Sequence, residues 1–281
     1  MLRQRVPVRP LGPADHDAAL RVCARNRAAG VFVAARIGEG ALRRHPGSLL
    51  GHYRDGCLDG LAWASANVVP VGLDDEGVAA LAVRIGRMRR LCASIFGPLD
   101  EVAALWERLA PTWGPVRAIR SHQPLMTTST PPSRLGVRAD DQVRPARLDE
   151  VGIVLPAAAH MFTEEIGYAP YFGSDRGYRA GIAALIRQGH TFVRVEQGEV
   201  VFKADVGSLA LGCAQIQGVW VHPDRRGQGL AVPAMAAVVE QVLGGPADEV
   251  SLYVNDFNQP ARATYVRCGF EQVGEFRTIL L

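Results

Sequence analysis

Apolar positions along this chain recur at two spacings, and the change from one to the other predicts where strands end and helices begin. Ile216 to Val221 is an apolar, β-branched run closed by Pro223, which predicts a buried strand. Beyond it, Val232, Met235, Val239 and Val242 recur at helical spacing, which predicts a helix with one buried stripe. Pro233 suits the first turn of that helix, and Gly244-Gly245-Pro246 ends it. Glu249 to Val254 predicts a second strand. Asn258 is a good N-cap for a helix that follows, and Gly269 a good residue to stop it.

The same order of elements starts twice. Val8-Arg9-Pro10 precedes Asp15 and an apolar-periodic helix through Leu20 and Val22; Val143-Arg144-Pro145 precedes Asp149, Val151, Ile153 and Val154, at an offset of 135 residues. Each half then predicts a hairpin, around Asp55-Gly56 and around Gln197-Gly198. Thr127 to Ser133 reads as linker and Arg134 to Gln142 as loop. The expected domains are therefore 1–130, a linker over 131–142, and 143–281. The alternative is an unrelated α/β domain in front of a second one.

Arg226-Gly227-Gln228-Gly229-Leu230-Ala231 lies between the strand and the helix. A glycine-containing turn at a helix N-terminus offers free N–H groups and the positive end of the macrodipole, so it suits a phosphate or pyrophosphate. Spacing sorts the known loops. A P-loop needs a Lys that is absent, and a dinucleotide fingerprint needs a small residue where Val232 stands and an acid where Val254-Asn255 stands. The first half has Gly72-Leu73-Asp74-Asp75-Glu76-Gly77 at the corresponding place, before a helix from Val78, and three acids there would repel a pyrophosphate. Its later helix, Leu99 to Leu109, carries Trp106 where the second half carries Tyr265.

Arg226, Gly229 and Ala231 fit the pattern [Q/R]-x-x-G-x-[G/A], which resembles the acyl-CoA loop of the GNAT superfamily of N-acetyltransferases. Asn258, Ala261, Tyr265, Gly269 and Phe270 match, in register, that family's second signature, N-x-x-A-x-x-x-Y followed by G-F. The resemblance implies an α/β GNAT fold with a mixed central sheet flanked by helices, here in two tandem copies of which the first is degenerate. It implies an N-acetyltransferase in which an amine attacks acetyl-CoA directly in a ternary complex. Backbone groups of Val219 and Val221 would hold the pantetheine and acetyl carbonyl, and the N–H groups of Arg226, Gly227, Gln228, Gly229, Leu230 and Ala231 the pyrophosphate. Asn258 would bond the pantetheine arm and Ala261 would leave room for it. Tyr265 holds the family's position for the general acid, or else packs against the cofactor as a wall. Glu164, Glu165 and Asp205 are the candidate bases, and each also reads as a solvated surface acid. Tyr168, Tyr171 and Phe172, between Gly167 and Gly173, read either as an amine-binding mouth or as packing aromatics.

Composition narrows the setting. At 281 residues, 48% hydrophobic and 21% charged, the chain has the balance of a soluble globular protein of two domains. No apolar run has membrane-spanning length, and Met1 to Arg5 lacks a signal-peptide apolar region. Cys23, Cys57, Cys92, Cys213 and Cys268 are odd in number and contain no C-x-x-C, which argues against a disulfide framework or a metal site and for a reducing cytoplasm. A net charge of +3 argues against a nucleic-acid partner; the densest basic cluster, Arg84, Arg87, Arg89 and Arg90, reads as the solvated end of a helix. Of 31 basic residues only Lys203 is lysine, which reads as compositional bias, with Lys203 a half-exposed strand residue. Two functional readings stay open: an N-acyltransferase for an amine of unknown identity, and a non-catalytic acyl-CoA sensor.

Overall fold

The structure, a computed structural model, describes residues 8–87 and 92–281. Met1 to Arg5, and Arg89 and Arg90 of the basic cluster, lie outside them; Arg84 and Arg87 are exposed. The chain divides into two compact units, one of residues 1–126, 253–257 and 272–281 and the other of 127–252 and 258–271.

The first unit begins with β1 (Val8–Pro10), α1 (His16–Ala24), α2 (Arg27–Gly38) and the short α3 (Ala41–Arg44). Strands β2 (Leu49–Arg54), β3 (Cys57–Ala64) and β4 (Asn67–Val71) follow, then α4 (Asp75–Gly86), β5 (Ser94–Pro98), α5 (Leu99–Trp113) and β6 (Ala118–Thr128). The second unit repeats that order: β7 (Arg144–Pro145), α6 (Val151–Ile166), α7 (Arg176–Arg187), β8 (Thr191–Glu196), β9 (Glu199–Ala210), β10 (Cys213–Val221), α8 (Ala231–Leu243), β11 (Glu249–Tyr253) and α9 (Gln259–Arg267). Pairing repeats too. β1–β2 and β2–β3 and β3–β4 are antiparallel and β4–β5 parallel; β7–β8, β8–β9 and β9–β10 are antiparallel and β10–β11 parallel.

Local chemistry explains the matched elements. Both hairpins turn on two residues of positive φ, Asp55 with Gly56 and Gln197 with Gly198, whose twist matches that of the flanking strands. The burial of α8 is wider than the one stripe expected, since Ala234 to Val239 are all buried while Val232 is half-buried, and Met235 and Val239 are fully enclosed. Each such side chain contributes roughly 1.5–3 kcal/mol of burial free energy. In the first unit Leu81, Ile85, Leu105 and Leu109 close the equivalent layer between α4 and α5.

Three expectations change. Thr127 and Thr128 continue β6 and are not linker. The last strand, β12 (Glu271–Leu280), pairs antiparallel with β5, so residues 272–281 belong with the first unit's strands. Strand pairing between distant segments carries no local signal, which is why adjacency in sequence misplaced it. The acid that matches Asp15 is Glu150, not Asp149. Arg9 bonds Asp15 and Arg144 bonds Glu150, each six residues apart, while Gly12 N–H donates to Asp15 and Arg147 N–H to Glu150. All three positions of the motif are offset by 135 residues, so the duplication survives in its hydrogen bonds even where its letters differ.

Glu150 is nearly buried, and the Arg144 guanidinium holds its carboxyl down at about 2. Because the folded value lies below the unfolded one, its contribution to stability is present above the ordinary carboxylate range and is lost as pH falls toward 2. Glu150→Gln is expected to cost about 2 kcal/mol at pH 7, with wild-type and variant denaturation curves converging in acid. Curves separated equally at both pH values would contradict this.

Candidate active site

β10 and β11 are paired over only three residues, Cys213, Ala214 and Gln215 against Glu249, Val250 and Ser251. From Ile216 onward β10 has no partner on β11, although both strands continue. Parallel strands that separate expose backbone N–H and C=O groups on their facing edges. On its other side β10 slips against β9: Gln217 stands opposite Asp205 and Trp220 opposite Lys203, so Gly218 and Val219 together face one residue. This is a β-bulge, and Gly218 sits in it with φ +59°. Val219 has no Cα partner of its own in either ladder.

β10 leads through a short 3-10 turn, Pro223–Arg225, into the loop before α8. Gly227 and Gly229 have φ +74° and +79°, and a Cβ at either would meet nothing within 4 Å. Their conformation, more than crowding by the protein, explains glycine here. No side chain caps α8 and its first turn holds no acid. Among the described residues nothing accepts from the N–H groups of Gly227 to Val232. Beside the loop is an open cleft of about 480 Å³ bordered by Gln228, Gly229, Leu230 and Pro233 and by the charged residues Arg138, Asp140, Asp141, Arg194, Glu196 and Arg225.

The first unit handles the same turn differently. Asp74 caps α4 by accepting from Gly77 N–H at 2.9 Å and pairs with Arg54. Glu101 accepts from Gly72 N–H at 3.1 Å and from Leu73 N–H at 3.0 Å. Two of its own carboxylates thus engage N–H groups at this turn, whereas the second unit places no carboxylate on its own. Helix α4 starts at Asp75, three residues before the expected Val78, so Asp75 and Glu76 lie inside its first turn. Trp106 is half-buried on α5.

The other predicted residues fall as follows. Asn258 caps α9, its Oδ1 accepting from Ala261 N–H at 3.2 Å. Tyr265 is 7% exposed, its ring 5.9 Å from that of Phe270. Burial first, then the charges of Glu165 and Cys268, push its phenol well up. Its hydroxyl has no hydrogen-bond partner among the described residues and is not among the sealed unpaired polar atoms, which are Arg36 Nε and Arg194 Nε. Cys268 Sγ lies 3.5 Å from Val232 O, which sets the end of α9 against the first turn of α8.

Glu164 and Glu165 end α6. Glu164 is no free solvated acid: Arg226 Nη2 donates to it at 2.7 Å and holds its pKa down, while Arg226 Nε donates to the Val221 carbonyl at 3.0 Å. The Val221 carbonyl is therefore already engaged. Sequence reasoning missed His160, one turn earlier on α6, which accepts from Trp220 Nε1 at 3.3 Å and lies 3.5 Å from Glu164. The i, i+4 spacing of His160 and Glu164 was the available signal. Tyr168 packs edge-on to Phe162 and Tyr171 packs on Tyr178, both half-buried, and Phe172 is 85% exposed.

Asp205 and Lys203 correct two expectations. Both are buried, they pair with each other, and Thr191 Oγ1 donates to Asp205 at 2.8 Å. Asp205 is therefore fully engaged as the acceptor in this cluster and not poised as a base. A charged pair two residues apart inside the run Val200 to Val206 was the overlooked signal, because strand residues i and i+2 share a face. Among the described residues no cluster of His, Cys, Asp or Glu has the arrangement to hold a metal, and no helix is long and apolar enough to cross a membrane.

Comparison with known proteins bears on the family and the fold. Residues 158–270 match the acetyltransferase (GNAT) family, and residues 47–154 match a family described as a domain of unknown function. No curated protein matches. The fold is similar to that of a GCN5-related N-acetyltransferase from Sphaerobacter thermophilus, 18% identical, with 97% of this chain and 94% of that one covered at a TM-score of 0.59. A tandem GNAT protein from the clavulanic acid biosynthesis pathway is 16% identical over 96% and 97% of the two chains, with a TM-score of 0.56. A Drosophila protein reaches 0.67 at 14% identity, with 98% of each chain covered.

Burial pushes the Glu101 carboxyl up to about 7, against the pull of the Leu73 and Gly72 N–H groups. A folded value raised above the unfolded one means stability is full below about 4.5 and declines as pH rises through 7. The melting temperature of wild type is expected to fall between pH 5 and 8 relative to that of Glu101→Gln. Parallel pH profiles for the two proteins would contradict this.

Proposed function

Residues 158–270 belong to the acetyltransferase (GNAT) family, and from that premise we propose that the protein is an N-acyltransferase that moves an acetyl group from acetyl-CoA to an amine. The observation that carries this reading is the separation of β10 from β11 next to an uncapped, acid-free turn at the start of α8. A thioester with a long amide-bearing arm and a pyrophosphate needs both features: strand edges for the amides, and a cluster of N–H donors for the phosphates. The first unit, whose donors are taken by Asp74 and Glu101, would bind no CoA.

On this reading the amine attacks the thioester carbon directly in a ternary complex. Val219 N–H, in the irregular stretch of β10 beyond its pairing with β11, would meet the oxygen on which negative charge develops, a kind of contact worth several kcal/mol in a dry site. The N–H groups from Arg226 to Ala231 would hold the pyrophosphate, except that Arg226 N–H already donates to Pro223. Asn258 spends its oxygen on the cap and would offer its amide N–H₂ to the pantetheine, beside the small Ala261.

The attacking amine must shed a proton, and Glu164 and Glu165 are the carboxylates at this end of α6. Arg226 lowers the pKa of Glu164, which makes it a weak base but a steady counter-charge for an incoming ammonium. The departing thiolate, near pKa ~8.5 when free, is stabilised by a proton donor. Tyr265 stays protonated across the working range because burial raises its pKa, so it would donate a hydrogen bond to sulfur throughout. The five free cysteines suit a reducing compartment, and the reading places the enzyme in the cytoplasm.

The test is free-thiol release from acetyl-CoA by the full-length protein, with and without a panel of small amines and peptides. Amine-dependent release is expected. Acetyl-CoA binding with no release for any amine would overturn the enzymatic reading in favour of a sensor. Within an active enzyme, Tyr265→Phe is expected to lower kcat by about 10²-fold or more with KM for acetyl-CoA nearly unchanged. A raised KM with kcat intact would make Tyr265 a packing wall.

A further inference from the structure

All but one of the chain's 31 basic residues are arginine, and the exception, Lys203, is 1% exposed. A compositional bias explains many arginines. It does not explain why the single lysine is buried under the Gly218–Val219 bulge of β10. An ammonium is a compact point charge, whereas a guanidinium is a wide planar fork that needs several acceptors around it. The space here suits the former: Asp205 pairs with Lys203 from the same face of β9, and Thr191 holds the other carboxylate oxygen.

The third neighbour of the ammonium is the Gly218 carbonyl. Lys203 Nζ lies 3.5 Å from that oxygen, long for a hydrogen bond but close for charge–dipole attraction in a dry interior. Gly218 is seated directly on the pair: a Cβ there would stand 3.0 Å from Asp205 Oδ2 and 3.2 Å from Lys203 Nζ. The Gly218 carbonyl and the Val219 N–H are the two ends of one peptide group. Positive charge at the oxygen draws electron density from nitrogen and makes the N–H a stronger donor.

We propose that Lys203 is a positioning residue that acts through the Gly218–Val219 peptide, fixing the bulge and strengthening Val219 N–H as the donor to the thioester oxygen. The inference rests on the acyl-CoA reading given above. It assigns the buried pair a role that neither strand pairing nor packing requires, since a bulge needs no charge beneath it.

The experiment compares three full-length proteins: wild type, Lys203→Gln/Asp205→Asn and Lys203→Met/Asp205→Asn. Asparagine keeps an acceptor for Thr191, and the paired substitutions avoid leaving one buried charge alone. Thermal melts identify the folded variants, and the glutamine pair suffices should the methionine pair fail to fold. The readouts are the infrared C=O stretch of bound [1-¹³C]acetyl-CoA and the separation of kcat from KM. Wild type is expected to lower the stretch most, the glutamine pair less and the methionine pair least. Activity should follow in the same order, with kcat down about 10-fold in the methionine pair and KM for acetyl-CoA within about twofold. An unchanged stretch in a folded variant overturns the inference, including where kcat falls, because a purely structural role would lower activity without that ordering. If wild type binds no acetyl-CoA, the acyl-CoA reading fails and this inference with it. If wild type binds and shifts the carbonyl while the variants shift it equally, the inference alone fails.

Discussion

Two parallel strands that part leave a row of backbone donors and acceptors facing each other with nothing between them, and such groups are costly when buried without partners. β10 and β11 part after three pairs, and the rest of the site is organised around that opening. The bulge at Gly218–Val219 takes two more backbone positions out of the β9 ladder. The strand then delivers the chain to a turn whose N–H groups are also unpartnered. On the proposed function, a ligand that is apolar in part, amide-bearing in part and anionic at one end would satisfy this path.

The first unit shows what happens when the same fold gives up that path. Its Arg9–Asp15 motif copies Arg144–Glu150 at a constant offset, and its hairpin turns alike, so the framework is retained. The difference lies in the loop before α4. Asp74 and Glu101 satisfy N–H groups at that turn from within, whereas no carboxylate does so before α8. Carboxylates at a helix N-terminus are themselves favourable, so the closed turn is a stable alternative to ligand binding.

Much of this was legible in the sequence because it is local. A glycine turn between strand and helix, a capping Asn258, a hairpin at Asp55-Gly56 and the stripe of α8 each depend on residues within a few positions of one another. What was not legible depends on pairing between distant segments. The bulge exists only relative to β9, so Gly218 gave no sign of it, and the attachment of residues 272–281 to β5 is a matter of which edge was available. Burial of Lys203 lies between these cases: the alternation with Asp205 was visible, but only the enclosing strands and α6 decide that the face is sealed. Glu164 likewise looked like a surface acid until Arg226, 62 residues away, was found bonded to it.

The central claim is that one open, acid-free turn in the chain binds the cofactor and its counterpart does not. Calorimetric titration of the full-length protein with CoA addresses this most directly, using wild type, Gly229→Asp and Asp75→Gly. The account predicts one site per chain in wild type, loss of binding when an acid is placed in the α8 turn, and unchanged affinity when one is removed from the first turn of α4. Two sites per chain, or full affinity in Gly229→Asp, would contradict it.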